Sequence, residues 1–432
     1  MEATINMPSS TKSNALPMAI VAGLFFILGF ATWLNGSLMP YLQQLFDLSA
    51  AKATLVLFSF YIAVTFAAIP SAMLISKVGY KNGMALGMGI MMLGGLCFIP
   101  AAQTQSFGVF LFAQLLMGSG ITLLQTAVNP YVVRLGPEES AAVRISIMGI
   151  LNKGAGVVAP IVFTALVLDG LTKVTGAPTQ EQIDAMANAL IMPYLGMGLF
   201  IGLLALAVKF SPIPDIKEED KSEENKGQIK EALSHLNLRY GVIALTCYVA
   251  VEVIAADTIG SLAKAFGVES FAVMTSYTMG FMVAGYILGI LAIPRVISQA
   301  NALMVSAILG MVLTVLIVVT DPTSYTLSNI FLAPFGVEQL PNPVFLVALL
   351  GLANAIVWPA VFPLALSGLG KLTSAAAALL IMGIAGGAIG PLLWGGASNV
   401  FGGEQYGYSV MLPCYAFILF YALKGCKMKK EA

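Results

Sequence analysis

Twelve apolar stretches, each long enough to cross a bilayer, run through this chain, and charge is confined almost wholly to the gaps between them. A span needs about 20 predominantly apolar residues. Such stretches fall at roughly 17–42, 52–76, 82–102, 107–133, 143–168 and 189–209. Six more fall at roughly 238–265, 271–293, 300–320, 343–369, 372–398 and 406–424. Inside a bilayer the backbone must satisfy its own hydrogen bonds, which points to helices. The reading is an all-α membrane protein with twelve transmembrane helices. Composition agrees. Only 10% of residues are charged and 58% are hydrophobic, whereas a soluble domain carries about 25% charged residues. A chain this apolar could not cover its own surface in water, so lipid is its expected solvent.

The two sets of six are joined by the least hydrophobic stretch, Ser211 to Asn237, which runs from two prolines into a dense alternation of acids and lysines. It reads as a solvated linker, with Gln228 to His235 able to form a short helix on a membrane surface. A connecting role is the expectation and a regulatory or partner-binding role the alternative. The domain reading is therefore 1–210, a first six-helix bundle; 211–237, a cytoplasmic linker; and 238–432, a second six-helix bundle. The chain is polar up to about Asn14 before a long first span, which fits a short cytosolic tail and not a cleaved signal peptide.

Lys and Arg placement sets orientation. With both termini in the cytosol, the inner loops and tails hold Lys77, Lys81, Arg134, Arg144, Lys209, Arg239, Arg295, Lys371 and the linker and C-terminal lysines. The outer loops hold only Lys52, Lys173 and Lys264. The expected location is a cell inner (cytoplasmic) membrane, multi-pass, both termini cytoplasmic. Net charge is zero, so nothing points to nucleic acid. The one histidine, His235, lies in the linker, and the four cysteines are scattered with no CxxC pair. That leaves no His-based metal site, no Ser-His-Asp arrangement and no structural metal, and it argues against an enzyme.

The halves also resemble each other. Asn129-Pro130, IMGI at 147–150 and Gly156-Val-Val-Ala-Pro160 in the first half answer to Phe362-Pro363, IMGI at 381–384 and Gly387-Ala-Ile-Gly-Pro391 in the second. Matching strings at equivalent places argue for parallel six-helix repeats, and such repeats place a substrate site near the midplane between them.

Polar residues inside spans are the functional candidates. Glu252 and Asp257 share span 7, and an intramembrane carboxylate usually faces a cavity, an ion path or a partner. Five residues apart, they sit about 140° from each other around an ideal helix. One is expected toward the central cavity and the other toward a neighbouring helix. Lys153 in span 5 is the matching base, a possible ion-pair partner for a span-7 acid or a side chain snorkelling to the cytosol. Uncharged amides at Asn35, Gln125, Asn129, Asn152 and Asn354 supply paired donors and acceptors suited to hydroxyl-rich ligands, with helix–helix bonding as the plain alternative. The three tryptophans, Trp33, Trp358 and Trp394, all lie well inside spans. An indole face suits the C–H face of a pyranose, although core packing is the competing reading.

Four strings carry a resemblance: GFATWLNGSLMPYL in span 1, QTAVNPYVVRLG in span 4, VEVIAADTIG in span 7 and NAIVWPAVFPLALSGLG in span 10. Together they resemble the fucose/galactose/glucose symporters of the major facilitator superfamily. SAMLISKVGYKNG after span 2 is similar to the loop signature of that superfamily, with Ser76 where Asp is usual. The resemblance implies two six-helix bundles, alternating access and hexose uptake driven by a cation gradient. It also implies an acid at two places where this chain has none. In the proton-coupled fucose members a Glu stands at the position of Gln125 and an Asp at that of Gly36. Gln cannot take up a proton, so the resemblance carries over sugar contacts at Asn35, Gln125 and Asn129 but not the proton carrier. Asp257, Glu252 and Thr258 are the candidates for cation coupling, with sodium favoured slightly over the proton and no cofactor otherwise. Trp33, Asn35, Gln125, Asn129, Asn152, Asn354, Trp358 and Trp394 are the sugar-site candidates. The expected partners are a sugar and the lipid bilayer, and the expected state is a monomer. A gradient-independent uniporter and a multidrug exporter of the same fold are the alternatives.

Overall fold

A computed structural model describes residues 15–135, 141–168, 179–213, 229–293 and 296–428. Most of the linker, its residues 214–228, lies outside the described residues, as do Asp169 and Lys173 of the loop after span 5. Among the described residues, twelve helices are long and apolar enough to cross a membrane. They are α1 (Leu16–Leu45), α2 (Ala50–Val78), α3 (Tyr80–Gln103), α4 (Phe107–Val132), α5 (Ile147–Val167) and α6 (Gln180–Phe210) in the first half. In the second half they are α7 (Leu236–Asp257), α8 (Phe271–Ala292), α9 (Gln299–Val319), α10 (Asn342–Leu366), α11 (Ala375–Phe401) and α12 (Glu404–Lys427).

One boundary departs clearly from hydropathy. The sixth span, expected at 189, begins at Gln180, so Asp184 lies on the helix and not in a loop. Its first turns are polar and invisible to an apolar window. They form because Thr179 caps the helix in a reciprocal box with Gln182, and Asp184 accepts bonds from Gln105 and Gln180.

Packing repeats with a shift of six. In the first half α3 lies against α4 and α6, α2 against α4, and α1 against α5. In the second half α9 lies against α10 and α12, α8 against α10, and α7 against α11. Across the halves α2 meets α11 and α5 meets α8, the same pair of contacts exchanged.

The helices that cross the centre are interrupted. α1 breaks at Leu34, α7 ends at Asp257 and continues as Ile259–Ala265, α10 breaks at Ile356, and α11 passes through a tight turn at Met382–Ala385. Broken helices at mid-membrane expose backbone carbonyls and helix ends only where protein or a cavity surrounds them. The turn between α2 and α3 depends on Gly79, whose φ of 82° is left-handed. Beside it Lys81 holds the end of α6 through the Ser211 carbonyl at 2.7 Å.

The halves are closed against each other at the end away from the termini. There Ser37 donates to the Ala272 carbonyl at 2.5 Å, Ser261 to Gln43 Oε1 at 3.1 Å and Lys264 to the Pro40 carbonyl at 3.2 Å. Nearer the centre Ser276 donates to the Val157 carbonyl at 2.7 Å.

Candidate functional site

The site is built where broken α1 meets α5. Gly29 lets these helices touch, since a Cβ there would stand 2.1 Å from the Asn152 carbonyl. Gly156 receives the Trp33 ring in the same way. This contact puts Trp33, at the end of the first part of α1, beside Asn152 and Lys153. The indole N–H donates to Asn152 Oδ1 at 3.3 Å, and the Asn152 amide reaches toward the Phe25 carbonyl at 3.4 Å. Lys153 Nζ stands 4.2 Å from the centre of the Trp33 ring, a cation–π distance.

From there the network crosses to the second half. Lys153 pairs with Glu252 Oε1 at 2.5 Å, and the Tyr248 hydroxyl donates to the same oxygen at 2.8 Å. Tyr248 and Glu252 are four residues apart on α7, the spacing that puts two side chains on one face. Tyr248 lies 6.3 Å from Trp358, which stacks on Phe362. Asn152 and Trp358 are half-buried, while Lys153 and Glu252 are 8% and 7% exposed. A charged pair this buried is held together by the cost of separating it. Removing one partner of such a pair costs about 3–5 kcal/mol. Lys153→Gln is therefore expected to destabilise the protein by about that amount. Adding Glu252→Gln should recover most of the loss. Thermal unfolding of the three proteins in detergent checks both.

Asp257 is in a different position. Its carboxylate is wholly buried, and neither oxygen has a hydrogen-bond partner among the described residues. It faces the other half at Gly36. A Cβ built on Gly36 would lie 2.1 Å from Thr275 Oγ1, 3.0 Å from the Ala256 carbonyl and 3.1 Å from Asp257 Oδ1. Three oxygens thus converge on one bare Cα. Thr275 donates to the Ala256 carbonyl at 2.7 Å. Tyr61 of α2 lies within electrostatic reach of both Asp257 and Glu252, although it makes no bond of normal geometry to Asp257.

The remaining candidates are placed as follows. Asn35 is buried inside the first half, where Gln114 donates to its Oδ1 at 2.8 Å. The two line a narrow cleft with Phe98 and Tyr194. Asn354 is buried inside the second half and accepts from the Tyr415 hydroxyl at 2.8 Å. Trp394 is fully buried with its edge on Tyr408. These three make no hydrogen bond to the cross-half network, and Asn35 Nδ2 and Trp394 Nε1 are buried with no hydrogen-bond partner among the described residues. Gln125 and Asn129 on α4 are half-buried, with no side-chain hydrogen bond among the described residues. Thr258, expected beside a cation, donates to the Ile254 carbonyl at 2.6 Å and shares a 2.7 Å bond with the Tyr408 hydroxyl. Its hydroxyl ties the α7 break to α12, and Thr275 stands beside Gly36. Tyr248, Tyr61 and Thr275 were not singled out from sequence. Tyr248 alone had a signal, its four-residue spacing from Glu252.

Two pseudo-equivalent helix bundles, interrupted helices and a polar network shared by the halves define a two-bundle membrane transporter. The family model described as Major Facilitator Superfamily matches residues 21–391. The chain is 31% identical to the glucose/galactose transporter of Brucella abortus (strain 2308) over 428 residues, covering 97% of this chain and 96% of that one. It is 26% identical to the L-fucose-proton symporter of Escherichia coli (strain K12), covering 95% and 93%. A crystal structure of the E. coli fucose:proton symporter superposes with a TM-score of 0.70 at 23% identity, covering 96% of this chain and 99% of the other. The chain belongs to the major facilitator superfamily, and within it to the fucose/galactose/glucose group. That is a family of transporters and not of enzymes.

Proposed function

We propose that this chain imports a hexose of the glucose, galactose or fucose type by cation symport, through alternating access, in a cytoplasmic membrane with both termini inside. The names of its relatives support the sugar class. The aromatic and amide side chains around Trp33, Asn152 and Trp358 supply the ring faces and hydroxyl partners such a ligand needs. With that orientation, the closed end is the outer one.

The observation that carries coupling is Asp257. A carboxylate buried without a partner cannot stay ionised at acceptable cost. Closure of the outer side around Asp257 and Gly36 therefore requires a cation on that carboxylate. The cation enters from outside, is occluded as the outer side closes, and leaves to the cytosol when the inner side opens. Sodium is favoured over the proton for two reasons. Gln125 occupies the place where the resemblance implies a protonatable Glu, and the Ala256 carbonyl and Thr275 hydroxyl beside Asp257 are hard oxygen ligands that suit a hard cation.

The test is uptake of labelled glucose, galactose and fucose into proteoliposomes under an inward sodium gradient, an inward proton gradient, or neither. Accumulation driven by sodium supports the full reading. Accumulation driven only by protons would keep Asp257 as carrier and remove sodium. Equal flux under all three conditions would make the protein a uniporter, and no flux of any hexose would overturn the sugar assignment. A prediction on the sugar side accompanies it. Trp358→Ala is expected to raise the KM for sugar by about tenfold, equivalent to about 1.4 kcal/mol. Initial rates across sugar concentrations measure it.

A further inference from the structure

The cluster at the centre of the protein holds two carboxylates and one ammonium. Lys153 neutralises Glu252, and the excess negative charge rests on Asp257. Both Lys153 and Glu252 lie within electrostatic reach of Asp257. Glu252 and Asp257 stand five residues apart on α7, about 7.5 Å along its axis. Lys153 is a fixed positive charge within that reach and could serve Asp257 in place of a transported ion. It is kept from doing so by what surrounds it: Glu252 Oε1 at 2.5 Å and the Trp33 ring beneath it at 4.2 Å. Tyr248 holds the same Glu252 oxygen from the other side.

We infer that Glu252 is a positioning residue for coupling: it sequesters Lys153 so that Asp257 lacks an internal counter-ion and must take one cation from solution in each cycle. The inference rests on the coupled-transport reading above. It assigns Glu252 a part distinct from ion ligation, and it gives one monovalent cation per transport cycle. The charge count gives it sharp consequences. In Glu252→Gln the cluster is already neutral, because Lys153 and Asp257 balance each other. That variant should move sugar without needing an ion. In the double variant Lys153→Gln with Glu252→Gln, Asp257 is again the single uncompensated charge, and the need for an ion should return.

The experiment compares wild type, E252Q and K153Q/E252Q in proteoliposomes, using whichever gradient drives the wild type. The ratio of initial sugar uptake with and without the gradient is read for each. Stabilisation of the purified protein by sodium, or by lowered pH if the proton is the coupling ion, is measured beside it. E252Q is expected to fall to a ratio of about one and to lose stabilisation by the ion, for want of any net charge to compensate. K153Q/E252Q is expected to regain both. A residue that merely held helices together would not show loss and recovery of ion dependence. Gradient-driven accumulation by E252Q overturns the inference, as does a folded double variant that stays indifferent to the ion. Should E252Q be too unstable to purify, its gradient ratio is read in native membrane vesicles beside the double variant, where gradient-driven accumulation by E252Q, or a double variant that stays indifferent to the ion, overturns the inference. A wild type indifferent to both gradients would instead remove the coupling reading itself, and this inference with it.

Discussion

Replacing Asp257 by asparagine is expected to abolish concentrative sugar uptake while leaving exchange across the membrane measurable. Asparagine has nearly the shape of aspartate, so the packing against Gly36 and Thr275 is kept. What changes is charge. The amide needs neither a proton nor a sodium ion before it can be buried, and the outer side can then close with the ion absent. The step that ties sugar movement to the ion gradient is lost, and accumulation should fall to equilibration with the external concentration. The magnitude is set by the cost of burying an unpaired carboxylate, several kcal/mol after relaxation, which is enough to make closure without the ion negligible in the wild type. Asparagine removes that penalty outright. The measurement is the accumulation ratio under an imposed gradient, set beside counterflow of labelled sugar with no gradient. Accumulation surviving unchanged in D257N would take Asp257 out of the coupling step and leave the burial of its bare oxygens without a functional account. Loss of both accumulation and counterflow would make it a structural residue.

Much of this protein is legible in the sequence because hydropathy is a local property. Each span is recognised from its own composition, so the number of spans and their pairing into two halves need no knowledge of contacts. The start of α6 escaped for the same reason, because its first turns are polar and stabilised by a cap and not by apolar burial. The site was legible only in part. The spacing of Glu252 and Asp257 said that they point to different neighbours, and they do: one toward Lys153, the other toward Gly36. Sequence could not say which acid was already neutralised, because the partner lies 99 residues away on another helix. Nor could it sort the amides. An asparagine bonding inside one bundle, as Asn35 and Asn354 do, has the same local signature as Asn152, which meets Trp33 beside the cross-half ion pair. Trp394 differs from Trp33 only in what surrounds it in space. Gly36 stood out as a departure from a family pattern, but its meaning depends on Thr275 and Asp257 lying opposite.

That arrangement makes Gly36→Ala the second large effect. The added methyl would stand 2.1 Å from Thr275 Oγ1 and 3.0 Å from the Ala256 carbonyl. Thr275 can rotate away, but only by giving up its bond to that carbonyl, and the carbonyl itself belongs to the backbone of α7. Overfilling a packed site costs about 1–3 kcal/mol. Here the cost falls only on the conformation in which the two halves meet at Gly36, because the residues in conflict belong to opposite halves. G36A should therefore shift the population away from outer closure by about 5- to 150-fold, with little effect on the folding of either bundle. A cysteine placed at Ser261, whose native hydroxyl bonds Gln43 in the closed outer side, should react faster with a membrane-impermeant thiol reagent in the G36A background. Sugar binding from outside should persist while turnover slows. An aspartate at this position, as the resemblance implies for the proton-coupled members, would need still more room and would set a second carboxylate beside Asp257. The bare glycine in α1 and the acid at the end of α7 are thus two parts of one arrangement, in which the ion-carrying group sits on the second half and closes onto an empty place in the first. Unchanged labelling in G36A would mean that outer closure does not pass through this contact, and the cation on Asp257 would then have to act on the cycle from elsewhere.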